Sequence, residues 1–322
     1  MSEGVGGADA ARFASLPSGL RDAAKMVRLS GDIPALVASP DWSRPVPMVL
    51  WLHGRTAYKE LDPGRYLRWL RAGLGLCAID LPGHGERDDA SPEMQKPART
   101  LEVIARSIGE IDGVVRELTR DGFARAHAID GATDGPVFDA ERLAIGGMSL
   151  GGMIALRRLC DPHPFRCAAV EATTGWLMEM YHPGGNGPDR QMGKGPNQGG
   201  EGDASERGAG EWAGLDRVDP PHPHERENLA PLDPMSNLDA WRPIPLLAVH
   251  SEADALVPWR AQRGFLDRLR ARYGELGADP ALVEQLTWPE TGAPQEHLGF
   301  GRFSNDSKNA QTAFLARHLL GA

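Results

Sequence analysis

The chain has 322 residues, 44 acidic against 35 basic side chains and a formal net charge of −9. That balance, with no dense Lys/Arg run, argues against nucleic acid or an anionic membrane as the main partner. The length suits one α/β domain carrying insertions and able to bury a large core.

Residues 1–24 predict a tail or a short amphipathic lead-in. Residues 1–10 lack a basic segment followed by an apolar one, so no secretory leader is expected. Cys77, Cys160 and Cys167 lie in or beside apolar segments without metal-ligand spacing, which predicts reduced thiols and a cytoplasmic protein. No apolar run approaches the length needed to span a bilayer.

Residues 25–38 alternate around Gly31 and Asp32, as an antiparallel hairpin does. Residues 46–52 are a continuous apolar run, a buried strand that ends at His53-Gly54-Arg55-Thr56. Helical spacing covers about 62–72. Residues 74–80 form a second buried strand, stopped by Leu81-Pro82-Gly83-His84-Gly85-Glu86-Arg87. A helix over 101–118 carries Val103, Ile104, Ile108, Ile111, Val114 and Val115 on one face. Residues 119–138 are longer and looser than a helix-to-strand link normally is.

Leu143-Ala144-Ile145 reads as a buried parallel strand and runs into Gly147-Met148-Ser149-Leu150-Gly151, after which a helical pattern starts. Residues 167–170 are another short strand, ending at Glu171. The stretch 181–223 is crowded with Gly, Pro and polar residues and has almost no periodicity. Such an insertion is either disordered or functional; it falls where a cap over an active site would sit, and Trp176, Leu177, Met178, Met180 and Trp212 beside or within it suggest an apolar flap. His222, His224 and Glu225 within it lack helical spacing and further ligands, so no metal is expected there. Residues 244–250 form a strand that delivers Ser251 and Asp254-Ala255-Leu256-Val257-Pro258. An amphipathic helix over 261–276, a last strand over 285–289, a loop with Gln295-Glu296-His297 and a helix over 310–320 close the chain. Strands apolar on both faces, alternating with helices, predict an α/β protein: a mostly parallel, twisted sheet of about eight strands with helices on both faces.

Strand, tight turn and helix around Ser149 are the context that gives G-x-S-x-G a chemical meaning. A serine hydroxyl needs a base to take its proton, a group to orient that base, and donors for the developing oxyanion. Ser149, Asp254 and His297 each follow a predicted strand, so the carboxyl ends of the sheet would collect them in one crevice. Glu171, at its own strand end, is a rival to Asp254; the complete Asp254-x-x-Val257-Pro258 stretch favours Asp254. Asp80, His84 and His250 read as structural, and Lys59-Glu60 and Glu86-Arg87 as rim charges or local ion pairs.

Together Leu52-His53-Gly54-Arg55-Thr56, Asp80 to Arg87, Gly147 to Gly151, Asp254 to Pro258 and His297 resemble the α/β-hydrolase superfamily. The branch is that of dienelactone-hydrolase-like and prolyl-oligopeptidase-like serine esterases. The resemblance runs from about residue 25 to 320, which implies a single domain over 25–322. It implies Ser149 as nucleophile, His297 as base, Asp254 as its orienting acid, and the backbone N–H groups of Arg55 and Leu150 as oxyanion donors. Two positions depart from it: many relatives have Gly where Ser251 and Glu296 stand. The implied reaction is cleavage of a carboxylic ester or related acyl bond in a small-molecule substrate, with no metal or organic cofactor. A small-peptide or acylaminoacyl peptidase is the nearest alternative, and a binding protein on a catalytically lapsed hydrolase fold is another.

Overall fold

The computed structural model describes residues 7–90, 94, 96, 99–181 and 229–321. Apart from Tyr181, the Gly/Pro-rich insertion read at 181–223 lies outside the described residues.

Eight strands form one sheet: β1 (Ala24–Leu29), β2 (Ile33–Ala38), β3 (Val46–Leu52), β4 (Gly75–Ile79), β5 (Phe138–Met148), β6 (Phe165–Glu171), β7 (Leu246–Ser251) and β8 (Val283–Trp288). Their order across the sheet is β1-β2-β4-β3-β5-β6-β7-β8. The hairpin of β1 and β2 turns through Gly31 and Asp32, both left-handed at φ 75 and 65, and β2 meets β4 antiparallel. Every pairing from β4 to β8 is parallel.

The central strands are apolar throughout because both faces are covered. In β3 all seven residues are buried. Met48, Leu50 and Leu52 point to one face and Val49 and Trp51 to the other, as the period of two requires. The first face packs on α4 (Thr100–Leu118), α6 (Leu150–Arg158), α7 (Leu177–Tyr181) and α8 (Trp259–Glu275), through residues such as Ile111, Ile154, Leu177 and Phe265. The second packs on α3 (Pro63–Arg71) and α9 (Ser304–Leu320), through Tyr66, Trp69, Phe314 and Leu315.

Residues 7–23 carry two helices, α1 (Gly7–Ala14) and α2 (Ser18–Arg21). Leu16 and Leu20 bury themselves in the second face, and Arg12 lies over the Tyr58 ring at 4.3 Å. In the loose stretch before β5, α5 (Phe123–Ala126) inserts Phe123 into the first face. Among the described residues no helix is long and apolar enough to cross a membrane.

Candidate active site

The site grows out of the turn between β5 and α6. Ser149 sits there with φ 50 and ψ −117, a conformation that L-residues rarely hold. A Cβ on Gly147 would overlap the backbone of Gly151, and one on Gly151 would overlap the Leu52 carbonyl. Only glycine permits so close an approach of strand, helix and neighbouring strand. Backbone bonds then fix the turn: Ser149 N–H donates to the Glu171 carbonyl at 2.9 Å, and Met153 N–H to the Ser149 carbonyl at 3.0 Å. The Thr173 hydroxyl donates to that carbonyl as well, at 2.7 Å. Thr173 carried no sequence signal; it lies two residues beyond the end of β6.

His297 comes from the loop after β8, and Asp254 from the turn after β7. His297 Nδ1–H donates to Asp254 Oδ2 at 2.7 Å, and Nε2 faces Ser149 Oγ at 2.9 Å. Asp254 divides its oxygens. Oδ1 accepts the Leu256 and Val257 N–H groups, both at 2.8 Å, which leaves Oδ2 to the imidazole. His297 and Asp254 are 3% and 7% exposed, while Ser149 keeps partial access to solvent. The serine can therefore meet a ligand while its two partners stay dry.

The turn of residues 53–55 lies against the elbow, since a side chain at Gly54 would stand 3.7 Å from Ser149 Cβ. His53 fixes that turn from beneath. Its Nδ1–H donates to the Gly54 carbonyl at 2.7 Å and its bare Nε2 accepts the Leu81 N–H at 3.1 Å. Burial pulls its pKa down to about 4, with the Asp80 charge opposing. Leu150 opens α6, so its N–H is among the first-turn donors that a helix leaves without an internal partner. The Arg55 guanidinium turns aside to the Thr100 hydroxyl.

Glu171 is elsewhere. Its carboxylate accepts Arg65 Nη2 at 2.7 Å and Gln311 Nε2 at 2.7 Å, beneath α3 and α9. Arg65 is buried, stacked over Trp51 at 4.3 Å and paired also with Asp62. Lys59 is likewise no rim charge. It is fully buried, its ammonium within 2.9 Å of carboxylate oxygens of Asp80, Glu86 and Glu60. Asp80 also accepts the Lys59 and Glu86 N–H groups, tying two loops together under the 53–55 turn. Arg87 forms a two-pronged pair with Glu110 of α4, at 2.9 and 2.7 Å. His250 donates to the Val257 carbonyl at 3.0 Å and so braces the Asp254 turn. The cysteines are free and buried, and burial pushes Cys160 and Cys167 up to about 12.

Solved structures share this architecture. TT1662 from Thermus thermophilus is 20% identical with a TM-score of 0.58, over 92% of this chain and 97% of that one. The acylaminoacyl peptidase of Pyrococcus horikoshii is 16% identical with a TM-score of 0.60, over 92% of this chain and 41% of that one. The fold is that of the α/β-hydrolases. A putative dienelactone hydrolase from Klebsiella pneumoniae matches at 17% identity and a TM-score of 0.53, over 91% and 97% of the two chains. No protein-family model matches the chain. Among curated proteins, the esterase YjfP of Escherichia coli (strain K12) is 26% identical over 153 residues, 46% of this chain. That match spans 55% of the esterase's own length.

Proposed function

We propose that this α/β-hydrolase-fold protein is a serine hydrolase that cleaves a carboxylic ester, or a related acyl bond, through an acyl-enzyme. The observation that carries the reading is the single imidazole bonded to a buried carboxylate at 2.7 Å and facing a serine hydroxyl at 2.9 Å. In this reading Ser149 Oγ attacks the acyl carbon as its proton passes to His297 Nε2. Asp254 Oδ2 holds the Nδ1–H tautomer and stabilises the imidazolium that forms. The carbonyl oxygen becomes an oxyanion, held by the N–H groups of Arg55 and Leu150; one such donor contributes about a hundred-fold or more to turnover. Collapse of the tetrahedral intermediate expels the alcohol, which takes the proton back from His297. Water then repeats the sequence, giving up a proton to His297 and releasing the acid and the serine hydroxyl.

The residues need no metal or organic cofactor for this chemistry. Partial identity to an esterase supports an ester over an amide as the bond cut, and the three buried free thiols support a cytoplasmic working place. A panel of p-nitrophenyl esters of rising acyl length, run beside aminoacyl p-nitroanilides and a fluorophosphonate probe, tests the reading. Ester turnover and labelling at Ser149 are expected. Faster anilide turnover would move the reading to a peptidase, and absence of both turnover and labelling would leave a binding protein.

A further inference from the structure

The loop that carries His297 is held in a conformation its own residues disfavour. Gln295 and Glu296 are consecutive left-handed residues, at φ 54 and 53, and neither is glycine. Such a pair persists only where its surroundings enforce it. Here the enforcing group is the Glu296 carboxylate. Its Oε2 accepts Ser251 Oγ at 2.7 Å, Thr291 N–H at 2.6 Å and Thr291 Oγ1 at 2.7 Å, and its Oε1 accepts Gly292 N–H at 2.6 Å.

Three of those four donors belong to two fully buried residues, Ser251 and Thr291. Ser251 also begins the acid turn, because its carbonyl accepts the Asp254 N–H at 3.1 Å. A second tie runs alongside, from Ala255 N–H to the Gln295 carbonyl at 3.1 Å. The turn bearing the carboxylate and the turn bearing the imidazole are therefore fastened to each other at two points flanking the Asp254–His297 bond. We propose that Glu296 is a positioning residue, which acts through His297 by locking its turn to that of Asp254 and so aiming Nε2 at Ser149.

The proposal rests on the serine-hydrolase reading. Four converging donors demand an acceptor-only group, which a carboxylate is and an amide is not. Desolvation pushes the Glu296 carboxyl up, but the bonds from Ser251, Thr291 and Gly292 outweigh it and draw it down to about 2. The group is thus an anion wherever the enzyme would work. It touches no substrate in the proposed reaction, so its loss should act on turnover and spare binding.

Glu296→Gln is nearly isosteric and points an NH2 at donors that need an acceptor. It should lower kcat for ester hydrolysis by about ten- to a hundred-fold, the scale of a small misplacement of reacting groups, with KM within about two-fold. The second-order rate of Ser149 labelling by a fluorophosphonate should fall by the same factor. Glu296→Gly, which accepts φ 53 without strain, should retain more kcat than Glu296→Ala. Ser251→Ala should show the same split in milder form and add little in the Glu296→Gln background, because the two residues act as one unit. If Glu296→Gln fails to fold, Ser251→Ala carries the test alone. A lowered melting temperature with kcat unchanged, or a loss lying in KM, overturns the proposal. Wild-type protein that neither turns over esters nor labels at Ser149 removes the serine-hydrolase reading itself, and the proposal with it.

Discussion

Glu171 and Asp254 stand at the ends of neighbouring parallel strands, and both are buried, at 3% and 7% exposure. Their partners set them apart. Glu171 meets a guanidinium that never gives up its charge, with the Gln311 amide on its other oxygen, so every acceptor is committed under α3 and α9. Asp254 spends one oxygen on two backbone N–H groups and offers the other to an imidazole, which reaches a partly exposed serine. A buried carboxylate becomes part of a chemical site when its partner can change protonation and touches the outside. Otherwise it is a fastener.

Asp254→Asn gives the sharpest contrast. It should reduce turnover by about ten-thousand-fold by holding His297 in the wrong tautomer, while thermal unfolding stays near wild type. Glu171→Gln should do the reverse. It leaves the buried Arg65 underpaired, a loss of about 3 kcal/mol in urea unfolding, with activity per folded molecule nearly unchanged. The opposite ranking in activity, with both variants folded, would transfer the orienting role to Glu171.

A buried histidine acts as a fastener too. His53 is buried and neutral, with a pKa near 4 set first by desolvation. Its folded value lies below the ordinary one, so its contribution is complete above about pH 6.5 and drains away as pH falls towards 4. That amounts to on the order of 3 kcal/mol for so buried a group. The partly buried His163, also near 4, adds to the same window. His53→Gln, whose amide oxygen can take the Leu81 N–H, should flatten the stability profile between pH 6.5 and 4. An unchanged slope in urea midpoints across that window would show that His53 is not the group responsible.

The smallest effect is expected at Glu60. Burial raises its pKa, and the Lys59 ammonium beside it keeps Asp80 and Glu86. Glu60→Gln should shift stability by no more than about 1 kcal/mol, the range of an ordinary substitution. A loss as large as that of Glu171→Gln would make Glu60 an essential counter-charge of Lys59.

Much of the sheet was legible because strands covered on both faces must be apolar along their whole length, as residues 46–52 and 74–79 are. The serine turn was legible because its sterics admit only small residues at positions 147 and 151. What stayed hidden was pairing at a distance. Lys59 reads as a rim charge or a local ion pair with Glu60; the ion pair is present, but the two further carboxylates that enclose the ammonium come from a loop more than twenty residues away. Ser251 and Glu296 read as two separate departures from the resemblance, and the fold makes them one bonded unit. Nor does composition reveal that Leu16 and Leu20 dock a lead-in onto the sheet, or that Phe123 anchors the stretch before β5. Each of these depends on which surface lies opposite, and that information is non-local.

In the proposed reaction Ser149 is a nucleophile made reactive by His297. Intact-mass measurement after exposure to a fluorophosphonate tests it most directly. The wild type should gain one adduct per chain, mapped to Ser149, with none on Ser149→Ala and labelling slowed about a thousand-fold or more on His297→Ala. A folded wild type that stays unmodified, or a His297→Ala variant that labels at the wild-type rate, would contradict it.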